Sequence, residues 1–190
     1  PYVVVKSQKN GIVNYLINVP QGRSYADMYN NPEITARLAE LINALKPDLV
    51  HTHCIQEIGT GIIAAAEAGK HVFTEKPFTL TREGAERAVA ACAKAGVTVA
   101  LGHNRRFMKN TEKLKAMIDA GELGTLLHID GNQSTDMGGM AGTWRDSRDD
   151  SPAGGMTSLG IHALDCMIHL GGPIAELDSY SERRAIGYDI

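Results

Sequence analysis

A chain of 190 residues suffices for one ordinary domain, or one domain with part of a second, and its 43% hydrophobic content can fill a core. With 19 basic against 22 acidic side chains the formal net charge is −3, which argues against a polyanion-binding surface and so against a nucleic-acid partner. No apolar run approaches the roughly 20 residues of a membrane span, no leader segment is visible, and three widely spaced cysteines (Cys54, Cys92, Cys166) suit free thiols in a reducing, cytoplasmic setting.

Val3 to Val5 and Ile12 to Val19 have the β-branched composition of strands, the second closed by Pro20 and Gly22. Pro32 at a first helical position opens a helix with Ile34, Leu38, Leu41, Ile42 and Leu45 on one face, ended by Pro47-Asp48. Asp48 to His53 reads as a buried strand, Ile62 to Ala68 as an alanine-rich helix stopped by Gly69, and His71 to Thr74 as a short strand. Thr81 caps a helix whose stripe is Ala85, Ala88, Val89 and Cys92 and which stops at Gly96; Val97 to Leu101 is the next strand. This alternation predicts an α/β class for residues 1–102, a Rossmann-like parallel sheet with helices on both faces.

Past Leu101 the rhythm changes. A helix is expected from about Thr111 to Ala120, a strand at Leu126 to Asp130, and a glycine-rich polar loop from Gln133 to Pro152. A last helix spans Ile161 to Leu170 before Gly171-Gly172-Pro173, and a further strand is expected from Glu176. Residues 103–190 therefore read as a partial α+β domain with too few elements to close a core alone, so the chain reads as a fragment.

Glu75-Lys76-Pro77 follows a helix, a glycine stop and a strand, which delivers it to the carboxyl end of the sheet, where ligands sit in open α/β folds. Proline restricts the residue before it and holds the Lys76 backbone extended. A lysine so placed can bind a substrate hydroxyl and accept its proton; the plain alternative is a surface lysine in a turn. His51 and His53 alternate along a strand and share a face beside Cys54. Zinc needs three or four convergent ligands, nothing nearby in the sequence clearly supplies the rest, and no metal site is assigned. His162, Asp165 and His169 share a helical face and receive no metal either, Asp165 being expected to cap or bond neighbouring backbone. Arg145, Arg148, Asp146, Asp149 and Asp150 read most simply as a solvated, salt-laced loop, and Met137, Met140 and Met156 as packing. Ser158 lacks the Gly-x-Ser-x-Gly setting of a nucleophile.

Taken together, Ala64 to Pro77, then Gly102-His103-Asn104-Arg105-Arg106-Phe107, then Gly154-Gly155-Met156 through His162 and Asp165 resemble the Gfo/Idh/MocA family of oxidoreductases over residues 61–190. The resemblance implies a Rossmann domain binding NAD or NADP and a following substrate domain. The implied chemistry is hydride transfer between nicotinamide and a secondary hydroxyl of a sugar, cyclitol or similar polyol. Lys76 and His162 are the implied catalytic residues. Glu75, Lys76, Pro77, His53, Trp144 and Arg145 are implied cofactor contacts, and Asn104, Arg105, Ser158 and His162 substrate contacts. Relatives pair through the open sheet face, which implies a homo-oligomer.

Three departures accompany the likeness. Ser158 stands four residues before His162, where the family usually has an acid. His53-Cys54-Ile55 stands for the family's Thr-Pro-Asn. Between Pro1 and Pro47 only Gly11 and Gly22 occur, without the G-x-G-x-x-G turn that lets backbone N–H groups approach a pyrophosphate. Residues 33–61, with Lys46-Pro47-Asp48-Leu49-Val50-His51-Thr52-His53, instead resemble the N-terminal domain of GT-B glycosyltransferases, also a Rossmann-like half. A nucleotide-sugar domain and a non-catalytic remnant are therefore the alternatives.

Overall fold

In the computed structural model, which describes residues 3–17, 31–53, 58–136, 139 and 143–182, the first element follows from a dipeptide. Asn10 and Gly11 both hold positive φ (52° and 78°), the conformation that a two-residue hairpin turn demands. They join β1 (Val4–Lys9) to β2 (Ile12–Ile17) as an antiparallel pair registered from Val4↔Ile17 to Lys9↔Ile12. So short a connection cannot join parallel strands, and the hairpin forms its own sheet. Asn18 and Val19, expected within the second strand, lie outside the described residues.

Helix α1 (Pro32–Leu45) begins where the Asn31 side chain accepts hydrogen bonds from the Glu33 and Ile34 N–H groups at 3.0 and 3.2 Å, with Pro32 in the first turn. It ends at Lys46, a residue in the left-handed region (φ 49°) whose N–H bonds to the Ile42 carbonyl. Then come β3 (Leu49–Thr52), α2 (Ile58–Glu67), β4 (His71–Thr74), α3 (Arg82–Ala95) and β5 (Val99–Leu101). Thr81 caps α3 through Gly84 N–H at 3.0 Å, and Gly96 at φ 68° closes it.

The three strands lie parallel in the order β3-β4-β5, with Val50 beside Val72 and Val72 beside Val99. Those three valines face the helices, where Ile42, Ile62, Ala64, Ala65, Ala66, Ala88 and Cys92 complete the core. The alanine run lets α2 pack closely against both α1 and α3. On the other face Leu49, His51 and Ala100 are exposed and Phe73 half-buried, so among the described residues the helices cover one side of the sheet.

The chain divides into two compact units, Pro1–Gly102 and His103–Ile190. The second begins with a 3-10 turn (Asn104–Phe107) and α4 (Lys109–Asp119). A short turn follows at Trp144–Asp146, and a π-turn (Met156–Gly160) runs directly into α5 (Ile161–Gly171). The strand expected at 126–130 is not formed, and from Glu176 the described residues, which end at 182, make no ladder. A strand needs a neighbour for its N–H and C=O groups, and no other strand exists among the described residues of this unit. The loop expected over 133–152 is partly built. Ser151 N–H bonds to the Ser147 carbonyl at 2.8 Å, and Ser151 is buried. Met137 and Met140 lie outside the described residues. No described helix is long and apolar enough to cross a membrane.

Candidate functional site

The carboxyl ends of the three parallel strands are tied together at Thr74 and Glu75. Its N–H donates to the Thr52 carbonyl at 3.0 Å, prolonging the β3–β4 ladder by one residue, while Gly102 N–H donates to the Thr74 carbonyl at 2.8 Å. Gly102 packs closely there. A Cβ at this position would stand 3.3 Å from both Phe73 Cζ and the Thr74 carbonyl oxygen, and 3.4 Å from the Glu75 carboxyl carbon. Lys76 follows half-buried and Pro77 buried, joined by a cis peptide bond. His53 is exposed just beyond β3, next to the pinned Glu75 backbone. Cys54 and Ile55 lie outside the described residues. Beside this edge, α1 and β3 border an apolar cleft of about 370 Å³ that runs from Leu38 and Leu45 to His51 and His53.

The other predicted residues belong to the second unit. Asn104 is exposed and Arg105 half-buried on the 3-10 turn, with Arg105 donating to the Gln133 side chain at 3.3 Å. Arg145 is half-buried on the Trp144–Asp146 turn. Ser158 is buried in the π-turn and His162 half-buried in the first turn of α5, four residues on and therefore on the same helical face. Interruptions of this π kind inside helices often mark functional positions.

Asp165, one turn beyond His162, corrects an expectation. Its partner is not neighbouring backbone but the guanidinium of Arg106, 59 positions away. Arg106 Nε donates to both carboxylate oxygens at 3.0 and 2.8 Å, and Nη2 donates as well. His103 Nδ1 stands 3.7 Å from the same carboxylate, and the His103 and His162 rings meet edge-on with centroids 6.4 Å apart. Burial alone would raise the Asp165 pKa. The hydrogen bonds from Arg106, with positive charge on His103, Arg106 and His169, outweigh it and leave the carboxyl below its ordinary value. The same bonds raise the Arg106 pKa further. A chain of contacts, Arg106 to Asp165 to His103 to His162, is thus built around the predicted histidine. Its sequence signal was the Gly102–Phe107 motif together with Asp165; spacing alone could not pair residues so far apart.

With this geometry in place, the sequence matches two family models. One, an oxidoreductase family with an NAD-binding Rossmann fold (Gfo/Idh/MocA), covers residues 9–103; the other, the Gfo/Idh/MocA C-terminal domain, covers residues 111–188. The chain belongs to the Gfo/Idh/MocA family. The first match includes residues 33–61, so that segment falls within the family's own Rossmann unit.

Among relatives, 2,7-anhydro-N-acetylneuraminate hydratase of Escherichia coli is 31% identical over 148 residues, 75% of this chain and 36% of that protein. The NADP-dependent scyllo-inositol 2-dehydrogenase of Bacillus subtilis is 31% identical over 110 residues, 58% of this chain and 30% of that protein. Among solved structures, aldose-aldose oxidoreductase of Caulobacter crescentus, complexed with glycerol, superposes with a TM-score of 0.61 at 27% identity, covering 72% of this chain and 41% of that one. The chain spans less than half the length of each of these three proteins.

Proposed function

We propose that the chain is the part of an NAD(P)-dependent oxidoreductase that carries its central catalytic residues, acting on a secondary hydroxyl of a sugar, cyclitol or similar polyol. The observation that carries the reading is Glu75-Lys76-Pro77 at the carboxyl edge of the sheet, with the Glu75 backbone fixed from β3 and the Thr74 carbonyl from β5. That edge is where an open α/β sheet receives a dinucleotide. Relatives whose names describe inositol and glucoside dehydrogenases support the substrate class. The free thiols of Cys92 and Cys166 support a reducing, cytoplasmic compartment.

The residues present fit one end of the cofactor. Glu75, Lys76 and Pro77 would border the nicotinamide, with His53 beside them; for the second unit the resemblance implies Trp144 and Arg145 as cofactor contacts. The pyrophosphate end has no glycine-rich strand-to-helix turn among the described residues: Gly11 sits in the β1–β2 hairpin turn. NAD(P), when bound, supplies the hydride acceptor. Lys76 Nζ holds the substrate hydroxyl and takes its proton. In the second unit His162 would contact a substrate hydroxyl, oriented by the contact with His103 and by the Asp165 carboxylate behind that ring. This contact does the orienting work that the family's acid does where Ser158 stands. Asn104, Arg105 and Ser158 bind the remaining hydroxyls. A homo-oligomer paired through the open sheet of the substrate domain, as the resemblance implies, belongs to the same reading.

NADH and NADPH titrations followed by nicotinamide fluorescence, with a panel of inositols and aldoses followed at the reduced-nicotinamide band, test it. Lys76→Ala is expected to lower kcat by about 100-fold or more and to weaken dinucleotide binding far less. Unchanged turnover in that variant, or no binding of either dinucleotide at millimolar concentration, overturns the reading.

A further inference from the structure

His51 and His53 are two residues apart along β3 and its extension, so both side chains leave the same face of the sheet. The parallel register that sets Thr52 beside Thr74 carries Glu75 alongside His53, and the Glu75 N–H bond to Thr52 holds it there. The two imidazole centroids are 4.0 Å apart, and Phe73 braces His51 edge-on at 4.7 Å. One donor atom from each of His51, His53 and Glu75 lies within 4.8 Å of the other two.

From this convergence we propose that His51, His53 and Glu75 form a binding site for a divalent transition-metal ion of the zinc class. Two imidazoles and one carboxylate are a donor set that zinc accepts, and three protein ligands leave a fourth position open. Imidazole nitrogen argues against magnesium and calcium, which take oxygen. Ligand atoms on one tetrahedral zinc stand about 3.3 Å apart, given bonds of about 2.0 Å. The site therefore closes by side-chain rotation alone: both histidines are exposed and Glu75 is half-buried, while the backbone that aims them is strand ladder. Among the described residues no ion pair engages Glu75, so a dication gains its formal negative charge without displacing a salt-bridge partner. The site goes beyond the oxidoreductase reading but shares Glu75 and His53 with the proposed cofactor contacts, so metal and dinucleotide meet at two residues.

The test uses the full chain without a histidine tag, stripped with chelator and titrated with Co²⁺ alone. The expected result is a visible d–d band that saturates at one ion per chain and is bleached by added Zn²⁺. The band is absent in His51→Ala and in His53→Ala, and Glu75→Gln weakens binding by about tenfold or more. His128→Ala, an exposed histidine outside the cluster, keeps the band. Should an alanine variant not fold by circular dichroism, paramagnetic broadening of histidine ring resonances in the unaltered chain decides, and only His51 and His53 are expected to broaden. No saturable band in the unaltered chain, a band kept in the double His51→Ala/His53→Ala variant, or broadening elsewhere overturns the proposal. None of these readouts uses nicotinamide, so this site and the oxidoreductase reading fail separately.

Discussion

Asp165 shows what one side chain contributes to the second unit. It is 6% exposed and bonded side-on by the Nε–Nη2 edge of a guanidinium that is itself 36% exposed, so the pair is neither a surface bridge nor a dry one. Removing a buried charge's partner costs a few kcal/mol, and partial solvation of Arg106 reduces that here; Asp165→Asn is expected to cost about 1–3 kcal/mol near neutral pH. The sign of the pH dependence follows from the lowered pKa. A carboxyl held below its unfolded value stabilises the fold fully above the ordinary carboxylate range and loses that contribution as pH falls through the folded value. Urea unfolding of both forms should therefore show a gap that is widest at pH 7 and narrows below about pH 4. A gap of constant size across that range would assign Asp165 a packing role instead of an electrostatic one.

Elements are decided by their ends. Thr81 accepts a single hydrogen bond from Gly84 N–H, and an N-cap of this kind contributes about 1 kcal/mol. Thr81→Ala is expected to lower stability by that amount in chemical denaturation, and Thr81→Ser to restore most of it; equal stability of all three would remove the cap from the account. Caps and stops are also why so much of this unit is legible in the sequence. Pro32, Thr81, Gly69 and Gly96 act through local backbone geometry and stand at element ends as expected. Pairing is not local, and composition falls short there. Asn10-Gly11 carries a hairpin signal, yet β-branched content by itself marks two strands without joining them. Leu126 to Asp130 has strand composition but no strand to pair with among the described residues of its unit. Composition likewise places His51 and His53 on one face, but only the register of β3 against β4 brings in Glu75 as a third donor. Arg106 and Asp165 meet the same limit, because a contact across 59 residues has no period.

At the scale of the whole chain the two units are held by different forces. Among the described residues, every fully buried apolar side chain belongs to the first unit, from Ile34 to Cys92. The second unit buries Asp150, Ser151, Thr157, Ser158 and Asp165, while α4 buries no residue and Leu127, Leu177 and Tyr180 are exposed. Burying an aliphatic side chain is worth about 1.5–3 kcal/mol, whereas an internal hydrogen bond nets about 1 kcal/mol because water is given up to make it. The units should therefore not unfold as one. Amide hydrogen exchange is expected to be slowest in α2, α3 and β4, and faster by orders of magnitude in α4 and α5. The β1–β2 hairpin, a two-stranded sheet exposed along most of its length, should exchange fastest. Asp165→Asn should then accelerate exchange in α5 and leave α3 untouched, because the ion pair lies wholly within the second unit. Uniform protection, or an acceleration that spreads equally through α3 and α5, would mean that the polar second unit draws its stability from the apolar first and that the two fold as a single cooperative body.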